Sequence, residues 1–458
     1  MARYLTLAFA IFCLGGLSVK ADKIERDILI KNADRAIDLS SQLVKINSRL
    51  TVQNNGKNSV NYFLYGLEPQ SKNNLAFIGA QEGKEKPLTI TETTVDGKAF
   101  WKIEFREPLS AGQSIKVKVE TVFTHQLKPH PAEITQREKQ LVRYYGNHYL
   151  YSPYKVASQT TKVVLSTSNI ESYSKLKPTA QNDNTITYGA YENIEPFTID
   201  EMLIHYESNA AFLSVVNYER HVELSHWGNI AIEETIDIEH TGAKLKGSFS
   251  RYEYQKDQGI ATSVKAFKTI LPAAAADVYY RDEIGNISTS HLREADDAVE
   301  IELRPRFPLF GGWKTHYVLG YNVPSYEYLF QSGEQHVLAI RLIDHIHDDM
   351  HIAQAHVRIV LPEGAHDIQV ETPYPVQRDP NTLHFTYLDT RGRPMIHLRA
   401  SNLVENHIQD VKVSYRYSKI LMLQEPLLLV AAFFLVFLAI IIWVRLDFSL
   451  TKSENKKE

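Results

Sequence analysis

The densest group of residues able to do chemistry is DHIHDDMH, from Asp344 to His351. Imidazole and carboxylate side chains are the usual ligands of zinc and other divalent ions. In a strand, His345, His347, Asp349 and His351 would share one face, because side chains alternate with period two. That arrangement would serve a metallohydrolase, while the same residues are ordinary at a strand edge followed by a turn. The acidic pairs Glu233-Glu234 and Asp296-Asp297 raise the question of a glycosidase. Glycoside cleavage needs two carboxyls facing each other across a cleft, whereas neighbours in a strand point to opposite faces. The sequence holds no HExxH motif, P-loop, dinucleotide fingerprint or GxSxG elbow. Its one cysteine is Cys13, inside an apolar leader, so the mature chain has no thiol, disulfide or cysteine metal ligand.

Recognition is the other use to which residues can be put. Asn286-Ile287-Ser288 is the one N-glycosylation acceptor triplet. RPRFPLFGGWKTHY, Arg304 to Tyr317, interrupts a strand pattern with two prolines and the pair Gly311-Gly312. Phe307, Phe310, Trp313 and Tyr317 in it are candidates for an interaction loop, and the other reading is a loop packed on the domain core. GNHYLYSPY, Gly146 to Tyr154, is open to the same two readings. A formal net charge of -4 gives a nucleic-acid partner no support.

The elements that carry these residues are mainly strands. Ile115, Val117 and Val119 alternate with charged residues, as do Val299, Ile301 and Leu303. Val411, Val413, Tyr415 and Tyr417 repeat the pattern, giving one core face and one wet face. Asn55-Gly56, Pro362-Glu363-Gly364 and Arg391-Gly392-Arg393-Pro394 punctuate the runs as turns. The 25 Tyr and 19 Phe fit β-sheet cores. A duplication is also visible. RAIDLSSQLVKINSRLTVQNNG, from Arg35, and RHVELSHWGNIAIEETIDIEHTG, from Arg220, both run Arg, two residues, an acid, Leu-Ser, strands and a Gly turn. The segments from Ile186 and from Leu383 share an order of strand, turn and strand. The expected fold class is mainly β: two tandem related β-rich domains, 22–217 and 218–426, on one C-terminal membrane helix.

The ends set the topology. Residues 1–21 read as a signal peptide, with Arg3 in the n-region, an apolar stretch and a cut after Ala21, the alternative being an uncleaved anchor. Leu427 to Val444 is apolar throughout and as a helix spans about 27 Å, close to the thickness of a bilayer core. Pro426 is placed to begin it, Trp443 sits at an interfacial position, and Arg445 opens a short cytosolic tail, 445–458. MLQEP, Met422 to Pro426, is expected to fix the outer region against the bilayer.

Several long strings resemble the ribophorin I family, the first subunit of the oligosaccharyltransferase complex. They are SHWGNIAIEE from Ser225, LKGSFSRYEYQ from Leu245, KTILPAAAADVYYRDEIGNISTSHL from Lys268, RPRFPLFGGWKTHY, and LMLQEPLLLVAAFF at the span. The resemblance covers nearly the whole chain. It implies a single-pass protein of the endoplasmic reticulum membrane, with paired β-rich lumenal domains similar to peptidase N-terminal domains and a glycan on Asn286. It implies a non-catalytic accessory role in transferring oligosaccharide from dolichyl diphosphate to Asn-X-Ser/Thr. No cofactor is expected on this chain, since the metal and the dolichol-linked donor would belong to a many-span catalytic subunit. The implied partners are the catalytic and accessory subunits, nascent polypeptides, the membrane and the translocon. The chain lacks the WWDYG signature of the catalytic subunit, its tryptophans 101, 227, 313 and 443 standing singly. Longer family members carry a cytosolic helical extension, whereas this sequence stops at Glu458, so ribosome contacts through such an extension are not expected. The alternatives are an independent cargo receptor or chaperone-like binding protein and, more remotely, a membrane-anchored metallohydrolase at His345 and His347.

Overall fold

A computed structural model describes residues 22–83, 86–256, 262–288, 290–386 and 388–446. The expected signal peptide and nearly all of the tail lie outside these residues. Alternation is realised most fully in the strand Asn229–His240, where Ile230, Ile232, Glu234, Ile236 and Ile238 are buried and Ala231, Glu233, Thr235 and Asp237 between them are not. Burying each isoleucine contributes roughly 1.5–3 kcal/mol. The β-branched side chain loses little rotamer freedom on the pleated surface.

Two large mixed sheets organise the chain. In the first, the central run is Ser114–Phe123, Val44–Asn54, Ile28–Leu39, Lys155–Leu165 and Thr185–Ile194. In the second it is Lys314–Pro324, Asn229–His240, Leu213–Leu224, His351–Val360 and Arg393–Val404. The two runs have one topology: the first strand of each half pairs antiparallel with the second and parallel with a distant fourth. Each half adds a four-stranded and a three-stranded sheet. Both three-stranded sheets take their strands in the order first, third, second: Val60–Gly66, Lys98–Leu109, Ile90–Val95 and Phe267–Pro272, Ala298–Leu303, His291–Glu294. The duplication read from Arg35 and Arg220 is therefore structural, both arginines lying buried on the first strand of their half. The strand holding Ile186 has its topological counterpart in Arg393–Val404, one strand beyond Leu383. Alternation alone carries no register, which is why the shorter match slips.

One core joins buried residues from Ile28 to Phe212, and a second joins residues from Leu213 to Tyr417. A third, small cluster of Leu43, Val122 and Val404 belongs to both halves. Glu133–Ile134 of the first half pairs as a parallel strand with Lys244–Leu245 of the second. Asn402 donates to the Leu75 carbonyl at 2.9 Å and accepts from Thr124 at 2.9 Å. The Gln42 amide donates to the carbonyls of Leu213 and Asp349, and Lys45 pairs with the Asp349 carboxylate.

The terminal helix, Gln424–Arg445, is the one helix among the described residues long and apolar enough to cross a membrane, and its apolar side chains are exposed. It begins two residues before Pro426, which its first turn tolerates because the missing N–H has no partner there.

Candidate functional site

Each residue of the DHIHDDMH segment has its own structural partner. Residues 342–350 form bends and turns, and the strand begins only at His351, so the shared face that a strand would give does not form. Asp344 is fully buried and receives Arg220 at 2.7 Å and the Tyr321 hydroxyl. His345 Nε2 lies 3.3 Å from Asp348, His347 Nδ1 lies 2.9 Å from the Asp348 carbonyl, and His351 Nδ1 is 2.7 Å from the Ser214 hydroxyl. Asp349 pairs with Lys45 across the joint. His345 Nδ1 and His347 Nε2 are buried without a hydrogen-bond partner. Among the described residues, no group of three or more His, Cys, Asp or Glu could hold a metal ion.

The Glu233-Glu234 pair divides between the two faces of its strand. Glu233 faces outward and accepts from Tyr279 at 2.6 Å and Arg281 at 2.9 Å. Glu234 faces inward, fully buried, and receives Arg220 and the Tyr218 hydroxyl. One guanidinium thus faces two carboxylates in a dry site, with Tyr218 and Tyr321 adding donors. Burial pushes the Glu234 carboxyl up to about 7, against the pull of Arg220 and with the help of the Asp344 charge. A cation shared by two buried acids favours retaining one proton. The network ties three strands to the 342–350 segment, and nothing in it opens to solvent. Asp296 and Asp297 stand exposed in a turn.

The four aromatic residues of the 304–317 segment separate. Tyr317 lies inside the second core against Phe267 and Tyr280. Phe310 is buried beneath Phe249, Tyr254 and Trp313. Phe307 is 44% exposed and meets the Trp313 ring edge-on at 5.9 Å. A surface aromatic cluster therefore exists, built from Phe249, Tyr254, Phe307 and Trp313 over a buried Phe310. Phe249 and Tyr254 escaped the sequence reading. Their signal was the spacing in FSRYEY, which lies on the short helix Arg251–Lys256 and the turn before it. The cluster sits at the joint: Leu245 N–H donates to the Gly311 carbonyl at 3.1 Å, and Lys244 N–H donates to Ala132 of the first half at 2.8 Å. GNHYLYSPY takes the core reading, since Leu150, Tyr151, Ser152 and Tyr154 are buried and the Tyr154 hydroxyl accepts from the Leu64 N–H.

Asn286 is exposed at the end of a hairpin turn, with Ile287 buried beside it and Ser288 exposed. Asp282 shapes the turn by accepting from the Ile284 and Gly285 N–H groups, and Gly285 has φ of 139°, a region open to glycine. Arg306, from the aromatic segment, pairs with Asp282 and holds its carboxyl down at about 2. At the other end of the second half, Arg393 bridges Glu223 at 2.7 Å, Asp389 at 3.1 Å and Glu425 at 3.2 Å. Gln424 donates to Glu363 at 2.6 Å and to Thr390 at 2.9 Å. The first turn of the apolar helix is thereby fastened to the folded region through Gln424 and Glu425.

The family model for ribophorin I matches residues 28–444. Dolichyl-diphosphooligosaccharide--protein glycosyltransferase subunit 1 of Caenorhabditis elegans is 39% identical over 430 residues, covering 93% of this chain and 73% of that protein. Subunit 1B of Arabidopsis thaliana is 36% identical over 462 residues, covering 97% of this chain and 98% of its own. Subunit 1B of Oryza sativa subsp. japonica is 37% identical over 449 residues, with 94% and 93% covered. Among solved structures, an M1 zinc metallopeptidase from Deinococcus radiodurans aligns with 43% of this chain and 44% of its own, at 12% identity and a TM-score of 0.25. A likeness that low carries no statement about fold or chemistry. The match to the family model runs through both halves and the apolar helix, and the chain belongs to the ribophorin I family.

Proposed function

We propose that this chain is a non-catalytic accessory subunit of the oligosaccharyltransferase complex, held in the endoplasmic reticulum membrane by its single span. The observation that carries the reading is the family match from residue 28 to 444, which takes in both halves, their joint and the helix. The placement of the titratable candidates supports it, because Asp344, Glu234 and His347 are enclosed in the core. The chain acts as a scaffold: two lumenal β-rich halves, whose cores divide between Phe212 and Leu213, fixed to one another and to the head of the span. Its neighbours are the catalytic and accessory subunits, and it supports transfer by holding acceptor polypeptide near the active subunit, a proximity effect. The surface aromatic cluster around Phe307 and Trp313 is one contact surface for such a neighbour. The metal and the dolichol-linked donor belong to the catalytic subunit, and Asn286 carries a glycan.

The test is to isolate the intact protein from membranes in mild detergent and quantify what accompanies it by mass spectrometry. Stoichiometric recovery with a many-span transferase, and glycan transfer by that fraction, is the expected result. Recovery of the chain alone, under conditions that keep the complex together, would overturn the proposal and favour a free cargo receptor.

A further inference from the structure

The end of the second half that holds the helix carries an unusual set of exposed apolar side chains. Trp227 is 66% exposed at the tip of the turn joining Leu213–Leu224 to Asn229–His240, and Tyr326 is 78% exposed on the neighbouring turn. The two turns are fastened together by the Ser325 N–H donating to the Gly228 carbonyl at 3.0 Å. Phe385 and Leu388 are 61% and 46% exposed on the loop before Arg393, and Ile420 and Leu423 are 77% and 51% exposed just before the helix. Four separate chain segments thus present large apolar groups at one end of the sheet. Monomeric surfaces rarely leave such a set uncovered.

The helix says what covers it. Trp227 lines a cavity together with Leu421, Met422, Gln424 and Glu425, so it is a neighbour of the head of the span. Gln424 and Glu425 are themselves bonded to Glu363, Thr390 and Arg393 of the folded region. Leu427 begins the apolar run three residues past Gln424, a rise of about 5 Å along a helix. The headgroup layer on each side of a bilayer core is itself roughly 5–8 Å thick. Groups level with Gln424 therefore stand within that layer. Trp and Tyr are the side chains that favour it, having an apolar body and a polar edge. Arg391 and Lys419, both exposed at the same end, are placed to meet lipid phosphates.

We infer that the second half rests on the lumenal leaflet, with Trp227, Tyr326, Phe385, Leu388, Ile420 and Leu423 dipping into the lipid headgroup layer beside the span. The span alone would tether the folded region; these turns fix its tilt and its height above the membrane. The inference rests on the reading of Gln424–Arg445 as membrane-embedded, and the test separates the two.

With Cys13 removed in the leader or replaced by serine, the chain is free of cysteine, so one fluorophore can be placed at a time. The full chain is reconstituted into phosphatidylcholine vesicles with the label at Trp227→Cys, Tyr326→Cys, Leu435→Cys in mid-span, or Ile199→Cys, an exposed position of the first half. Lipids bearing a nitroxide on the headgroup should quench most of the fluorescence at positions 227 and 326. Lipids bearing it near the end of the acyl chain should quench position 435, and neither should quench position 199. Quenching at 227 and 326 no greater than at 199, with 435 quenched, would overturn the inference and leave the span intact. No quenching at 435 would overturn both. A label-free check uses headgroup quenching of tryptophan emission in a Trp443→Phe background, where the further change Trp227→Phe should abolish most of the quenchable signal. If it does not, the inference fails.

Discussion

Arg220 shows how little of a buried network can be read from one segment. The sequence puts Arg220 in an amphipathic strand, Glu234 in an acidic pair and Asp344 in a string that suggests a metal. Only folding reveals that the three meet. Replacing Arg220 with Met leaves Glu234 and Asp344 without their cation. Truncating one partner of a buried ion pair costs about 3–5 kcal/mol, so Arg220→Met should lower the urea midpoint of the full chain in detergent by a corresponding amount. The histidines give a second prediction. Burial holds His240, His347 and His351 at about 4, against an ordinary value of 6.5. Their folded values are depressed, so below pH 6.5 the unfolded chain takes up protons that the folded rings refuse, and stability falls as pH drops towards 4. At pH 5 each of them contributes a loss of about 2 kcal/mol. Glu234 runs the other way: its folded value is raised, so its contribution is full below its ordinary 4.5 and is lost as pH rises through about 7. One acid offsets roughly one histidine, and the chain should be less stable at pH 5 than at pH 7. The His347→Gln variant should lose about 2 kcal/mol less between those two conditions, read as a smaller shift of the urea midpoint.

Strands were the most legible level of organisation. Period-two alternation located Ser114–Phe123, Ala298–Leu303 and Asp410–Arg416, because one face of each is buried and the other is wet. The aromatic segment was only half legible. Its prolines and glycines marked an interruption, but the direction of each ring depends on what packs beneath it, and that came from Phe249 and Tyr254 some sixty residues earlier. Gly311 illustrates the constraint. A Cβ there would overlap the backbone carbonyl of Ala243, immediately before the short strand Lys244–Leu245 that links the two halves. Backbone cannot step aside as a flexible side chain can. Gly311→Ala should therefore destabilise the chain by about 1–3 kcal/mol, as overpacking does, and should raise amide hydrogen exchange at Leu245, whose N–H is bonded to Gly311. Unchanged exchange at Leu245 would show that the segment is held elsewhere.

The tandem plan and the span were visible in sequence because both are written in patterns longer than one element. The joint was not, since its contacts come singly from Gln42, Lys45, Thr124 and Asn402, each with a partner far along the chain. Asn402 also adopts a left-handed φ of 55°, which asparagine tolerates better than most residues. Asn402→Ala loses two hydrogen bonds and adds backbone strain, roughly 2–3 kcal/mol together. Combined with Gln42→Ala, it should turn a single calorimetric unfolding transition into two, one for each core. A single transition in the double variant would place the coupling in the Leu43, Val122 and Val404 contact and the Glu133–Ile134 pairing instead.

The parallel pairing of first and fourth strands also sets a timetable. Ser214 and His351, neighbours across the pairing of Leu213–Leu224 with His351–Val360, are 137 residues apart. Ribosomes add roughly 5–20 residues per second, so the first strand of the second half emerges about 7–27 seconds before its fourth-strand partner exists. Its hairpin mate covers one edge at once; the other edge stays bare. Ile28–Leu39 waits in the same way for Lys155–Leu165. Each molecule therefore passes twice through an interval with an open strand edge during its own synthesis. Those two intervals are when protection by strand-binding chaperones matters most, and when slowing translation between the paired strands would lengthen the exposure.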